Sequence, residues 1–345
     1  MVDEGSAGVD TAIVWSKDYE LHDTGGHPEG PDRATRIVTH LRTLDLWDRL
    51  TLVEPRPATR DDVLLVHTEA LVDRVRRIAE SGGGGMDHET PVSARSYEIA
   101  LLAVGGVLTA IRQWDEGRAS FALVRPPGHH ATPDRAMGFC LFNNVAIAAR
   151  TLLAGGMERV AIVDWDVHHG NGTQAAFYDD PRVLFCSLHQ WPLYPGSGWF
   201  TECGEDDGEG FTVNVPLPVG STDGDYAGAV EHVVTPIVDQ FAPQALLVSA
   251  GFDPHAREQL ASLQMSEDGF AAMALRVLTL AQRHCDGRLA LVLEGGYDRP
   301  ATNRSVAAVL AAIDAEEAPA VGLPREAGQV AIDRAREVQG RYWKL

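Results

Sequence analysis

Short apolar runs rich in β-branched residues recur along the chain, separated by longer stretches whose apolar positions repeat with helical spacing. Uninterrupted apolar runs of this kind mark strands buried on both faces of a sheet. They predict strands at Thr11–Trp15, Phe121–Arg125, Val160–Asp164, Val183–Leu188, Phe211–Val215, Ala245–Ser249 and Leu289–Leu293. Helices are predicted at Tyr97–Trp114, Val145–Leu153, Tyr226–Phe241, Glu267–His284 and Ser305–Glu316. Ser266, followed by Glu267 and Asp268, has the form of an N-cap with first-turn acids. The glycine run Gly82–Gly85 reads as a flexible surface loop. Strands alternating with helices imply an α/β fold, a mainly parallel central sheet flanked by helices. No internal repeat interrupts the pattern, and 345 residues suit one domain over 1–345.

The unusual polar residues sit where the apolar runs stop. FALV ends in RPPGHH, VAIV in DWDVHHGNG, ALLV in SAGFD and LALVL in EGGY, while VLF runs into CSLH. In open α/β sheets, ligands bind outside the carboxyl ends of the strands. These ends are therefore the predicted site.

Composition narrows the partners. With 29 basic and 49 acidic residues the net charge is −20, which leaves no basic surface to displace counterions from nucleic acid. Such a field suits cationic substrates such as lysine-rich peptides or polyamines. Four scattered cysteines form no CxxC pair, so neither a disulfide framework nor a cysteine zinc site is expected. No apolar leader or membrane-length run is visible, and the expected setting is a reducing cytoplasm.

In Asp164-Trp-Asp166-Val-His168, residues two apart face the same side of an extended segment. Asp166 and His168 can thus supply part of a metal site, with Asp253 the candidate third ligand. Three protein ligands leave one coordination position for water, which marks a catalytic site. His129 and His130, stiffened by the preceding Pro126-Pro127-Gly128, can serve as general base and acid, with Asp164 and Asn171 as candidate partners. Tyr297 on the Gly295-Gly296 turn can offer a phenol to a developing oxyanion.

RPPGHH, MGFCLFNN (137–144), DWDVHHGNG (164–172), SLHQWPLYPGSG (187–198), FTVNVPLP (211–218), SAGFD (249–253) and LEGGY (293–297) occur in one order that resembles the histone deacetylase superfamily. HPEGPDR (27–33) extends the match towards the start. The superfamily includes acetylpolyamine amidohydrolases and bacterial histone-deacetylase-like amidohydrolases. The resemblance implies an arginase/deacetylase-like fold and a zinc-dependent hydrolysis of acyl-lysine peptides or small N-acyl amines. It implies Asp166, His168 and Asp253 as zinc ligands, and His129 and His130 as the histidine dyad with partners Asp164 and Asn171. Tyr297 matches the oxyanion-stabilising tyrosine. Asp164, Ser187 and Leu188, with Asp166 and His168 backbone, match a structural K⁺ or Na⁺ site. Gly138, Phe139 and Tyr194 match the substrate tunnel, and Asp87 a carboxylate at its rim.

Asn171 and Glu294 make the chain similar to the class II-type and bacterial enzymes. Arg257-Glu258-Gln259-Leu260 stands where many relatives have a GDPL-like tetrad. Leu260 then occupies the place of a polyamine-selective glutamate, and an apolar residue there suits a lysine stem. Three other readings compete. An acetylpolyamine amidohydrolase shares the chemistry. An arginase-like ureohydrolase would need a second carboxylate where Gly170 stands. A non-catalytic acyl-lysine reader or scaffold would have lost a ligand, a dyad histidine or the tyrosine.

Overall fold

The apolar runs line up side by side in the computed structural model, which describes residues 9–345. Its strands are β1 (Thr11–Val14), β2 (Leu50–Val53), β3 (Gly83–Gly85), β4 (Pro91–Ser93), β5 (Ala119–Ala122), β6 (Val160–Asp164), β7 (Val183–Trp191), β8 (Thr212–Pro218), β9 (Ala245–Ala250) and β10 (Leu289–Leu293). Eight of these form one sheet in the order β2-β1-β5-β10-β9-β6-β7-β8, every pair parallel. Parallel pairing sends each chain back across a face of the sheet, and helices cover both faces. The five central strands β5, β10, β9, β6 and β7 are buried along nearly their whole length, which is why their sequences show no polar alternation.

Most predicted elements match within a few residues. The departures have local causes. The strand at Phe121–Arg125 is observed earlier, at Ala119–Ala122, because the chain leaves the sheet where Arg125 turns inward. β2 escapes the pattern as a partly exposed edge strand. The Gly82–Gly85 run is not a slack loop: Gly83–Gly85 pair antiparallel with Pro91–Ser93. Gly82, Gly83 and Gly84 have φ of 98°, 124° and 159°, values that only glycine adopts without strain.

The helix at Tyr226–Phe241 widens into a π turn at Val230–Val234, just before Pro236, whose missing N–H breaks the regular ladder. The last predicted helix starts earlier, at Arg299 rather than Ser305. Asp298 caps it by accepting the Ala301 N–H at 3.0 Å, and Pro300 fits its first turn. Ser266 occupies the N-cap position of Glu267–His284, but its hydroxyl donates to Asp223 instead of capping. No helix among the described residues is long and apolar enough to cross a membrane.

Candidate active site

The carboxyl ends of β5, β6, β9 and β10 converge on a cavity of about 190 Å³. At its floor, Asp166, His168 and Asp253 each present a ligand atom within 4.8 Å of the others. Asp166 and His168 follow β6, and Asp253 follows β9, its hydrogen-bonded neighbour in the sheet. That pairing closes the sequence gap between them. His168 Nδ1 lies 3.1 Å from Asp166 Oδ1 and 3.3 Å from Asp253 Oδ2.

Backbone N–H groups fix both carboxylates. Gly295 donates to Asp166 Oδ2 at 2.8 Å, His168 to Asp166 Oδ1 at 2.9 Å, and Val167 to Asp253 Oδ1 at 3.0 Å. Asp253 Oδ2 is fully buried without a hydrogen-bond partner, which no native site leaves without reason. Two glycines are required by these oxygens. A Cβ on Gly295 would sit 2.1 Å from Asp253 Oδ2, and one on Gly251 2.1 Å from Asp166 Oδ2.

The locus favours positive charge. Burial lowers the His168 pKa, but the hydrogen bond to Asp166 and the Asp253 carboxylate 3.3 Å from Nδ1 overcome it and lift the group to about 9. Burial and the charge of Asp166 push Asp253 above the usual carboxylate range. Two carboxylates and one imidazole, with an orphaned oxygen facing inward, fit a single divalent cation such as zinc.

Beside this floor, His129 and His130 pack with ring centroids 4.0 Å apart. His129 Nδ1 donates to Asp164 Oδ2 at 3.0 Å, and His130 Nδ1 to Asn171 Oδ1 at 2.8 Å. An amide oxygen only accepts, so this bond leaves the His130 Nε2 lone pair free. The two environments pull the pair apart. Burial lowers the His129 pKa, yet the charges of Asp166 and Asp164 raise it well above its ordinary value. For His130, burial and the neighbouring His129 act together and hold it well below.

Tyr297 reaches the cavity from the turn after β10. Its ring meets Phe139 edge-on at 5.6 Å, and the Arg33 guanidinium lies 4.7 Å from its centroid. Gly138, Phe139, Tyr194 and Leu260 all line the cavity. Gly138 (φ 55°) must lack a Cβ, since one would lie 2.5 Å from His130 Cδ2. Phe139 follows it at φ 69°, a strained conformation for a bulky residue that aims its ring at the tunnel. Asp87 turns Oδ1 to the Glu89 N–H at 3.0 Å and does not line the cavity, whereas Glu89 does. Asp164 stands in register with Ser187 across β6 and β7. The Leu188 carbonyl accepts the Tyr226 hydroxyl at 3.4 Å.

Several supporting residues lie in the quoted motifs RPPGHH, HPEGPDR and LEGGY without having been given a structural role there. Arg125 is fully buried and bonds Glu29 through both carboxylate oxygens at 2.6 Å. It also donates to the carbonyls of Tyr19, His22 and Pro31. This clamp holds the segment that places His27 against Phe139 at 4.4 Å. Arg33 donates to the carbonyls of Glu294 and Gly296. Glu294 accepts the N–H groups of Gly128 and His129 at 2.7 and 3.1 Å, beneath the dyad. For Glu294 the sequence offered its place at the end of an apolar strand and its family-like position before Gly295-Gly296-Tyr297, but not its role as an acceptor beneath the dyad.

The chain matches the histone deacetylase domain model over residues 27–313. It is 41% identical to a probable deacetylase of Archaeoglobus fulgidus, the match covering 97% of this chain and 99% of that protein. It is 43% identical to the histone deacetylase-like amidohydrolase of Pseudomonas aeruginosa, over 79% of this chain and 73% of the relative. Its fold superposes on the crystal structure of the HDA15 HD domain with a TM-score of 0.90 at 36% identity, covering 97% and 95% of the two chains.

Proposed function

The chain belongs to the histone deacetylase family, and from that membership we propose that it hydrolyses acetylated lysine side chains or related N-acyl amines using one zinc ion. The observation that carries this reading is the buried, partnerless Asp253 Oδ2 facing Asp166 and His168 beside two histidines of opposite charge preference. Zinc held by Asp166, His168 and Asp253 supplies Lewis acidity towards an acyl carbonyl and lowers the pKa of water.

The chain's own groups do the rest. Phe139, Tyr194 and Leu260 flank a methylene stem and exclude water from it. His130, kept neutral by burial and oriented by Asn171, takes the proton of the attacking water at Nε2. Tyr297 donates its hydroxyl to the oxyanion that develops on the carbonyl oxygen. His129, whose imidazolium is supported by Asp164, keeps positive charge beside the site and favours proton return from the dyad to the departing amine. A structural K⁺ or Na⁺ behind β6, at Asp164, Ser187 and Leu188, would fix the strand end that carries these groups.

The test is a panel of acetyl-, trifluoroacetyl- and longer-acyl-lysine peptides beside N-acetylputrescine, with metal content measured on the same sample. Hydrolysis of acyl-lysine peptides by a chain holding one zinc is expected. Tyr297→Phe and His130→Ala should each lower kcat by roughly 10²-fold or more with zinc retained. Turnover near wild type in both variants refutes the assignment.

A further inference from the structure

Tyr297 works only if its turn is held still, yet that turn is glycine-rich, with Gly296 at φ 114°. What holds it comes from another loop. Glu258 Oε2 accepts the Tyr297 N–H at 2.7 Å and the Asp298 N–H at 3.1 Å. Its other oxygen, Oε1, accepts the N–H groups of Gln259 at 2.8 Å and Leu260 at 3.3 Å. One carboxylate thus bridges the turn bearing the oxyanion donor and the loop bearing Leu260, one oxygen to each.

The alternative tie between the same loops is weaker. Arg257 Nε meets Asp298 Oδ1 at 3.3 Å, but the Arg257 side chain is 58% exposed, and exposed ion pairs contribute little. Charge-assisted bonds from backbone N–H groups are stronger, and a carboxylate has lone pairs enough for four donors. An amide could serve only one of the two loops.

We propose that Glu258 is a positioning residue that locks the phenol of Tyr297 to the tunnel wall at Leu260, so that oxyanion stabilisation and the fit of the acyl-bearing stem are set together. This rests on the deacetylase reading above.

The experiment uses the zinc-loaded full chain with acetyl-lysine peptide, comparing Glu258→Ala, Glu258→Gln, Tyr297→Phe and the double variant Glu258→Ala/Tyr297→Phe. Glu258→Ala should lower kcat on the order of 10- to 100-fold, as expected for a misplaced catalytic group, with zinc content unchanged. In the Tyr297→Phe background, where no phenol remains to be placed, the same substitution should cost less than about threefold, the non-additivity expected of coupled residues. Glu258→Gln, isosteric and free of any cavity, should show the same pattern and decides the matter if the alanine variant does not fold.

Wild-type kcat in the glutamine variant, or losses that multiply in the double variant, would overturn the proposal while leaving the deacetylase reading intact. A zinc-loaded wild-type chain that hydrolyses none of the acyl amines would overturn that reading, and this inference with it.

Discussion

The floor of the cavity and its mouth grow from the same strand ends but are held in opposite ways. At the floor, Asp164, Asp166, Asp253 and Glu294 are fully buried, and each carboxylate is met by backbone N–H groups. Glycines press against them so closely that a single methyl group would collide: a Cβ on Gly170 would lie 2.2 Å from Asp164 Oδ2. At the mouth, Tyr194 and Leu260 remain 36% and 41% exposed, and Leu260 is fixed mainly through its backbone N–H. The floor admits one arrangement, so it determines the chemistry. The side chains of Tyr194 and Leu260 can be exchanged without touching those buried carboxylates, so on the proposed reading they are where selectivity among acyl amines is to be sought.

The largest break in this contrast should come from Gly295→Ala. Its Cβ would meet Asp253 Oδ2 at 2.1 Å and Asp166 Oδ2 at 2.6 Å, so metal affinity is expected to fall about 10- to 100-fold, with activity following it. Metal titration of the variant checks this. Unaltered affinity would show that the floor is more yielding than its packing implies.

A smaller effect is expected at the mouth. Leu260→Glu should move the ratio of kcat/KM for acetyl-lysine peptide over N-acetylputrescine about fivefold towards the free ammonium of the acylpolyamine, about 1 kcal/mol for a partly exposed charge pair. Zinc content should stay the same. A ratio that does not move would remove Leu260 from the determinants of selectivity.

The smallest effect concerns stability, not turnover, and sharpens the same contrast. His67 lies behind the floor, its Nδ1 donating to the Thr132 carbonyl at 3.0 Å and its Nε2 accepting the Asn143 N–H at 2.8 Å. That pattern requires a neutral ring, and burial lowers its pKa to about 4. Between about 4 and the unfolded value near 6.5 the unfolded chain binds the extra proton, so stability falls as pH drops through that window. The cost is roughly 2 kcal/mol from pH 7 to pH 5. Thermal melting should show this slope for the wild type and a shallower one for His67→Gln.

Much of the floor was legible because its residues follow strands that are themselves legible. The β6 run announces Asp164, Asp166 and His168, the β9 run Asp253, and the β10 run Glu294 and Tyr297. What escaped depends on partners distant in sequence. Arg125 and Glu29 are 96 positions apart, and although each lies in a quoted motif, neither motif says that the two pair. Their buried pair is nonetheless expensive to break, of the order of 3–5 kcal/mol if one partner is removed. Glu258 escaped for a different reason. Its tetrad departs from the family's pattern, so the resemblance offered no role, and its bonds are to backbone groups that leave no trace in side-chain chemistry. β3 was missed because glycines carry no hydrophobic pattern.

The sheet order has a consequence for how the enzyme is made. Among the described strands β10 is the last in sequence, yet it lies between β5 and β9 in the middle of the sheet. A nascent chain lacking it has a gap where its centre should be, and neither Gly295 nor Tyr297 to complete the pocket. Assembly is therefore late and non-local, which slows folding and lengthens the exposure of unpaired apolar edges. A truncation just before β10 would erase the site as thoroughly as deleting its ligands.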